Sequence, residues 1–374
     1  MDRIARAITL HLPKHIEIGA GAASRLGQWA ADAQRILVIA QPVTAPMIAE
    51  FALKGDVRVY DDIAPEPKDT DLEGALDAAR AHRPDLVIGL GGGSVMDVAK
   101  LVSVLWDSNQ SLDEVAGPNR VAKKCSLLAQ VATTAGTGSE GGIRALVTST
   151  GTGMKVAVES PLMLADIAIL DPELTMTVPA AVTAATGVDA LAHCVEAFTN
   201  IKAHPLIDDY ARMGMKLTGQ FLKRAVDNGS DADARSGMLL ASFYGGLCLG
   251  PVNTAAGHAI AYPLGTRAGL PHGLGNALIF PHVLAFNAPA RPHKTREIMS
   301  ALGLPETDDP DKVLQLAKGF CADLGIEMSL KSHGVTVNDL RPWAEEAHGI
   351  RRLMDNNPRS MSVEQIEAIL QAAY

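Results

Sequence analysis

The 374-residue chain has 47% hydrophobic and 20% charged residues and no repeat, low-complexity tract or charged tail, which fits a soluble globular protein with room for two ordinary domains. Its formal net charge of −9, without any basic run, excludes the electrostatic footprint of nucleic-acid binding and favours small molecules as partners. Charges and Pro13 interrupt the opening MDRIARAITLHLPKHIEIG, no apolar run approaches the roughly 18 residues of a membrane span, and Cys125, Cys194, Cys248 and Cys321 form no C-x-x-C pair, so a cytoplasmic location away from membranes, with reduced thiols, is expected.

In chain order, RILVIA (35–40), DVRVYDDI (56–63), DLVIGL (85–90), LLAQVATT (127–134) and DIAILD (166–171) predict strands. TDLEGALDAARAHR and SVMDVAKLVSVLW, lying between them, carry helical periodicity. Strands alternating with helices predict a mostly parallel sheet covered on both faces, with MKVAVES (154–160) set apart as a hairpin partner of RALVTST. From Ala180 onward only helical patterns remain, among them AAVTAATGVDALAHCVEAFT, PLIDDYARMGMKLTGQFLKRAV and ARSGMLLASFYGGLCL. The expected boundary falls near Pro179, giving an α/β domain over 1–178 and an all-helical domain over 179–374. Ligand sites favour such domain interfaces.

DLVIGLGGGSVMDVAK reads as a buried strand, a glycine cluster and a helix. Glycines let the backbone approach a ligand closely, and the amides at Gly93 and Ser94 would stand at a helix N-terminus that favours phosphate. The order departs from G-x-G-x-x-G at Ser94, whereas a formal match at Gly136, Gly138 and Gly141 shows how little that pattern means alone. Three glycines after a strand also make an ordinary tight turn, and the plain alternative for Asp97 and Lys100, one turn into the helix, is a solvated pair.

In TGVDALAHCVEAF, Asp189 and His193 are spaced i, i+4 and share a helical face. They can bind one divalent cation or form a local hydrogen-bonded pair. The surrounding helix is almost wholly apolar, so burying the pair without a purpose would be costly. His258 and His272 lie in GHAIAYPLGTRAGLPHG, a segment punctuated by glycine and proline that reads either as a turn-rich connection or as half of a metal site. With Asp189 and His193 they would offer three nitrogens and one carboxylate oxygen, a set suited to iron(II) or zinc. His204, Asp208 and His282 stand outside this set.

The ordered combination of GAGAASRL, EPKDTDLEGALDAAR, GGGSVMDVAK, TTAGTGSE, LADIAILDPELT, ATGVDALAHCVEAF, GHAIAYPLG and LPHGLGNALIFPHVLAFNAPA resembles the iron-containing (group III) alcohol dehydrogenases, within the dehydroquinate synthase and glycerol dehydrogenase superfamily. The resemblance spans almost the whole chain. It implies an α/β N-terminal dinucleotide-binding domain with a mostly parallel, Rossmann-like sheet, an all-α C-terminal domain, and an active site in the interdomain cleft. It also implies NAD or NADP as cofactor, one divalent metal ion, a small alcohol or carbonyl substrate, and a homodimer or larger homo-oligomer. By the same resemblance Asp189, His193, His258 and His272 are the metal ligands. Gly92, Gly93, Ser94 and Asp97 form the pyrophosphate and nicotinamide side of the cofactor site, and Thr133, Thr134, Thr137 and Lys155 add further cofactor contacts.

Two positions depart from the family pattern. Gln41 replaces the aspartate with which NAD-preferring members commonly hold the adenosine ribose, so the choice between NAD and NADP stays open. Tyr262 stands where many members carry a histidine for proton relay or substrate contact. A phenol titrates far above neutrality, which suits a hydrogen bond to substrate better than a proton shuttle, and packing before Pro263 is the plainer alternative. The expected function is metal-dependent hydride transfer between NAD(P) and a primary or secondary alcohol, or the corresponding aldehyde or ketone. A hydroxyacid-oxoacid transhydrogenase and a maleylacetate reductase are the enzyme alternatives, and a dehydroquinate synthase-like lyase is the non-redox one.

Overall fold

The five predicted strand runs all lie in one parallel sheet of a computed structural model that describes residues 5–374. They are Arg35–Ile39 (β2), Asp56–Tyr60 (β3), Leu86–Gly91 (β4), Leu127–Ala132 (β6) and Ile167–Leu170 (β9). A sixth strand, His15–Ile18 (β1), was not predicted. It lies at the sheet edge against β9 alone, and its short HIEI run is never fully buried, so it lacks an apolar signature. Gly117–Pro118 (β5), Arg144–Thr148 (β7) and Lys155–Glu159 (β8) make a second, small sheet. In it β7 and β8 form the antiparallel hairpin expected of RALVTST and MKVAVES.

By Cα packing, Leu10–Val178 forms one unit and Pro179–Tyr374 the bulk of another. In the first, the helices are Leu26–Trp29 (α1), Asp69–His82 (α2), Gly93–Leu105 (α3) and Leu112–Val115 (α4). Alternate side chains of each inner strand face opposite layers. Leu37, Ile39 and Val87 pack with Leu72, Leu76 and Leu101, whereas Ile36, Val38, Ile88 and Leu90 pack with Leu26 and Phe51. Burial on both faces explains why these strands read as continuous apolar runs.

The sheet order is β1-β9-β6-β4-β2-β3. From β2 the chain moves outward to β3 at the edge, then returns to β4 on the other side of β2. That reversal opens a crevice at the carboxyl ends of β2 and β4, the place where open α/β sheets take ligands. Gln41 follows β2 and the glycine turn follows β4, so both sequence motifs stand at this switch point.

In the second unit, Ala180–Thr199 (α5), Pro205–Asp227 (α6) and Ala232–Leu249 (α7) pack on one another. Ala256–Ala268 (α8), His272–Asn287 (α9), Pro292–Ala301 (α10), Pro310–Asp323 (α11), Val337–Gly349 (α12), Arg351–Met354 (α13) and Val363–Ala373 (α14) follow. Among the described residues no strand occurs beyond Leu170, in keeping with the helical patterns. The segment GHAIAYPLGTRAGLPHG corrects the turn-rich alternative, because most of it is α8, which continues through Pro263. A proline inside a helix forgoes one backbone hydrogen bond and crowds the preceding turn, so its partners must hold it in place. The helix stops at Gly269 (φ 69°), a left-handed position that glycine takes without strain, and α9 starts at His272.

Candidate metal centre

Three helices supply the four predicted ligands. Asp189 and His193 project from successive turns of α5, His258 from the first turn of α8, and His272 is the first residue of α9. One donor atom from each lies within 4.8 Å of all the others. The three imidazoles aim Nε2 at the same carboxylate oxygen, Asp189 Oδ1, from 3.9 Å (His193), 3.5 Å (His258) and 3.8 Å (His272). The rings of His193 and His258 stack with centroids 4.7 Å apart. His204, Asp208 and His282 stay outside: His204 caps α6 through Nδ1, Asp208 pairs with Lys294, and His282 is buried elsewhere on α9.

These separations are too long for hydrogen bonds and suit a cation lying between the atoms. His258 Nε2 is buried and has no hydrogen-bond partner, so the arrangement leaves a lone pair facing the centre. A set of three nitrogens and one carboxylate oxygen fits iron(II) or zinc. Burial works against charge on Asp189, but the three surrounding imidazoles outweigh it and hold the carboxyl well below the usual range. Burial pushes His193 down to about 4, favouring the neutral imidazole that a metal requires. Burial opposes charge on His258 too, yet the Glu196 and Asp189 carboxylates outweigh it and lift the imidazole to about 10, so the surroundings of this ring favour positive charge.

Glu196 is the residue that sequence reasoning missed. It lies on α5 three positions beyond His193, and its carboxylate accepts hydrogen bonds from the backbone amides of Ala255 (2.5 Å) and His258 (3.1 Å). It also meets His258 Nδ1 at 3.1 Å. One carboxylate thus caps the start of α8 and orients the imidazole, the role that outer carboxylates play for metal-bound histidines. Gly257 makes room for it, since a Cβ there would lie 2.0 Å from Glu196 Oε1. Asn276, one turn into α9, donates to Asp189 Oδ1 at 2.7 Å and approaches His272 Nε2 at 3.1 Å. A glutamate inside an apolar helix was the available signal for Glu196, but its partners come from a helix distant in sequence.

Tyr262, one turn beyond His258 on α8, is 8% exposed. Its ring lies 6.1 Å from that of His272, and its hydroxyl accepts from Arg352 Nη2 at 3.2 Å. The departure from the family pattern therefore sits beside a ligand.

In the first unit, α3 begins at Gly93 with Gly92 as its N-cap. A Cβ on Gly92 would fall 2.9 Å from Thr134 Oγ1, and one on Gly93 2.6 Å from Thr137 Cγ2. The expected glycine and threonine residues thus pack directly together, with the Thr133 amide bonded to Gly91 O at 3.1 Å. Ser94 Oγ accepts from the Glu66 amide, and Glu66 in turn pairs with Lys155. Gln41 Nε2 donates to Ile63 O at 3.0 Å. The Asp97 carboxylate accepts from Ser139 Oγ (2.6 Å) and the Leu146 amide (2.9 Å). The pair of Asp97 and Lys100 is not solvated: Lys100 is fully buried, and its Nζ donates to Ser139 Oγ at 2.7 Å and Arg144 O at 2.8 Å.

Residues 13–172 match the family described as iron-containing alcohol dehydrogenase, and residues 183–374 match the C-terminal part of the Fe-containing alcohol dehydrogenase family. The chain is 36% identical over 361 residues to long-chain-alcohol dehydrogenase 1 of Geobacillus thermodenitrificans, covering 91% of this chain and 90% of that protein. The crystal structure of a 1,3-propanediol oxidoreductase superposes with a TM-score of 0.94 at 30% identity, over 99% of this chain and 100% of that one. A sulfoacetaldehyde reductase from Bifidobacterium kashiwanohense, solved in complex with NAD+, gives 0.89 at 25% identity over 99% of each chain.

Proposed function

The chain belongs to the iron-containing alcohol dehydrogenase family, a metal- and NAD(P)-dependent group of oxidoreductases, and on that premise we propose that Asp189, His193, His258 and His272 hold its catalytic metal. Iron(II) is the first choice of ion and zinc the second. The observation that carries the reading is the convergence of three imidazole Nε2 atoms on one buried carboxylate oxygen.

When bound, the ion polarises the alcohol or carbonyl oxygen and the nicotinamide gives or takes the hydride. The protein's part is to hold the reactants in place. Glu196 accepts a hydrogen bond from His258 Nδ1–H, which sets the tautomer that leaves Nε2 free to coordinate. Asn276 steadies Asp189 and His272. Because the Tyr262 oxygen accepts from Arg352, its own proton is free to be donated to a substrate oxygen or a water.

For the cofactor, the amides of Gly93 and Ser94 at the start of α3 bind the pyrophosphate, and Gly92, Thr133, Thr134 and Thr137 shape the turn around it. Asp97 completes the nicotinamide side, Lys155 adds a further cofactor contact, and Gln41 contacts the adenosine end. The position of Gln41 and the glycine turn at the topological switch point supports this assignment. Residues 1–178 then serve as the dinucleotide-binding domain and residues 179–374 as the metal-binding domain. We place the protein in the cytoplasm as a homodimer or larger assembly. Its cysteines are free, and among the described residues no helix is long and apolar enough to cross a membrane.

Elemental analysis and a coupled assay test the metal site together. Wild-type protein reconstituted with iron(II) should oxidise NADH or NADPH in the presence of an aldehyde, and Asp189→Ala should lose both the bound ion and turnover. If Asp189→Ala or His272→Ala retains metal as tightly as wild type, the assigned coordination is wrong.

A further inference from the structure

Of the four ligand side chains, His272 alone has appreciable exposure, 25% against 5% or less for Asp189, His193 and His258. Of the four, His272 is thus the side chain that solvent reaches. Tyr262 lies against that ligand, and the Arg352 guanidinium lies over the Tyr262 ring, 5.5 Å from its centroid. Arg352 belongs to α13, which packs on α8. The chain of contacts thus runs from His272 to Tyr262 to Arg352.

Arg352 is exposed and enters no ion pair among the described residues, whereas the adjacent Arg351 is paired with Asp355. Its side chain makes one hydrogen bond, from Nη2 to the Tyr262 hydroxyl. The remaining donors of this permanently charged, planar fork are exposed and uncommitted. Such a fork matches an oxyanion in two-point geometry.

We propose that Arg352 recognises an anionic end of the substrate, so that this enzyme's preferred alcohol or aldehyde carries a carboxylate or sulfonate at the end remote from the reacting carbon. The inference rests on the metal-site reading above and adds the substrate class to it. Tyr262 is then the positioning residue between the two ends: its ring supports the guanidinium, and its hydroxyl accepts one of the donors and fixes the orientation of the fork.

The test compares succinic semialdehyde and 3-sulfopropanal with neutral butanal, using the iron-reconstituted full chain with NADH and NADPH. Wild type should favour the anionic aldehydes in kcat/KM by about tenfold or more, the scale of a charge-assisted hydrogen bond. Arg352→Gln should lower the ratio of anionic to neutral kcat/KM by about the same factor, Arg352→Lys should retain part of it, and added salt should reduce the wild-type ratio. Calorimetric titration with succinate, which cannot be reduced, supplies a readout independent of turnover. Succinate should bind wild type about tenfold more tightly than Arg352→Gln. A wild-type preference for butanal, or an equal ratio and equal succinate affinity in Arg352→Gln, overturns the proposal. Loss of all turnover together with absence of bound metal would instead count against the metal-site reading, and the comparison of carboxylate with sulfonate identifies which anion the fork prefers.

Discussion

Gln41 places a neutral amide at the end of β2, tied to Ile63 O, and on the proposed cofactor assignment a carboxylate there would repel the additional phosphate of NADP. NADPH should therefore be oxidised within about tenfold of NADH, and Gln41→Asp should reduce kcat/KM for NADPH by about tenfold or more. An NADH preference that is strong in wild type and unaltered by the substitution would remove Gln41 from cofactor choice. Tyr262→Phe keeps the ring and deletes the hydroxyl that meets Arg352. It should leave metal content unchanged and lower kcat/KM by roughly tenfold, whereas unchanged kinetics across pH would reduce Tyr262 to packing. At this scale the four converging side chains were legible because a carboxylate and an imidazole share one face of an apolar helix and two further histidines follow. The solvated alternative for Lys100 fails because periodicity reports which face of a helix a residue occupies, not that Ser139 and Arg144 lie over that face.

The helix α8 shows the same limit one level up. Glycine and proline in GHAIAYPLGTRAGLPHG argue locally for a turn, and the helix forms because tertiary partners outweigh that preference. Glu196 accepts from two amides at its start, and Ala259, Ile260, Ala261 and Leu264 bury along its length. Removing the charge in Glu196→Gln should weaken both the cap and the hold on His258 Nδ1. Metal affinity should fall by about 10- to 100-fold, measured by competition with a chelator, with the helical signal largely retained. An unchanged affinity would make Glu196 a capping residue only. The strands were easier to read: β2, β4, β6 and β9 are buried on both faces and therefore spell their position in Ile, Leu and Val, while the edge strand β1 does not.

For the molecule as a whole, the buried ionisable groups behind the glycine turn predict an unusual pH profile of stability. Burial lifts Glu140 from 4.5 to about 7, so the folded chain binds more protons than the unfolded chain between those values. Its contribution is complete below pH 4.5 and is lost as pH rises through 7. Burial lowers Lys100 from 10.5 to about 8, against the pull of Asp97 and Glu140. Its contribution is complete above 10.5 and is lost as pH falls through 8. These two groups by themselves place a minimum of stability between pH 7 and 8. The change on the Glu140 limb is about 3 kcal/mol. Thermal unfolding followed across pH should show the falling limb flattened in Glu140→Gln, and an identical profile in that variant would rule out Glu140 as its origin.

The sequence by itself determined the α/β half, the helical half, the family and the four side chains that converge as a candidate metal centre, because these depend on local periodicity, on residue type and on an ordered series of motifs. Tertiary structure alone decided that α8 is a helix, that Glu196 orients His258, that Lys100 is buried, and that Arg352 lies over Tyr262. Each of these joins residues that are remote along the chain or overrides a local preference, and burial and hydrogen-bond satisfaction act only once the elements have packed.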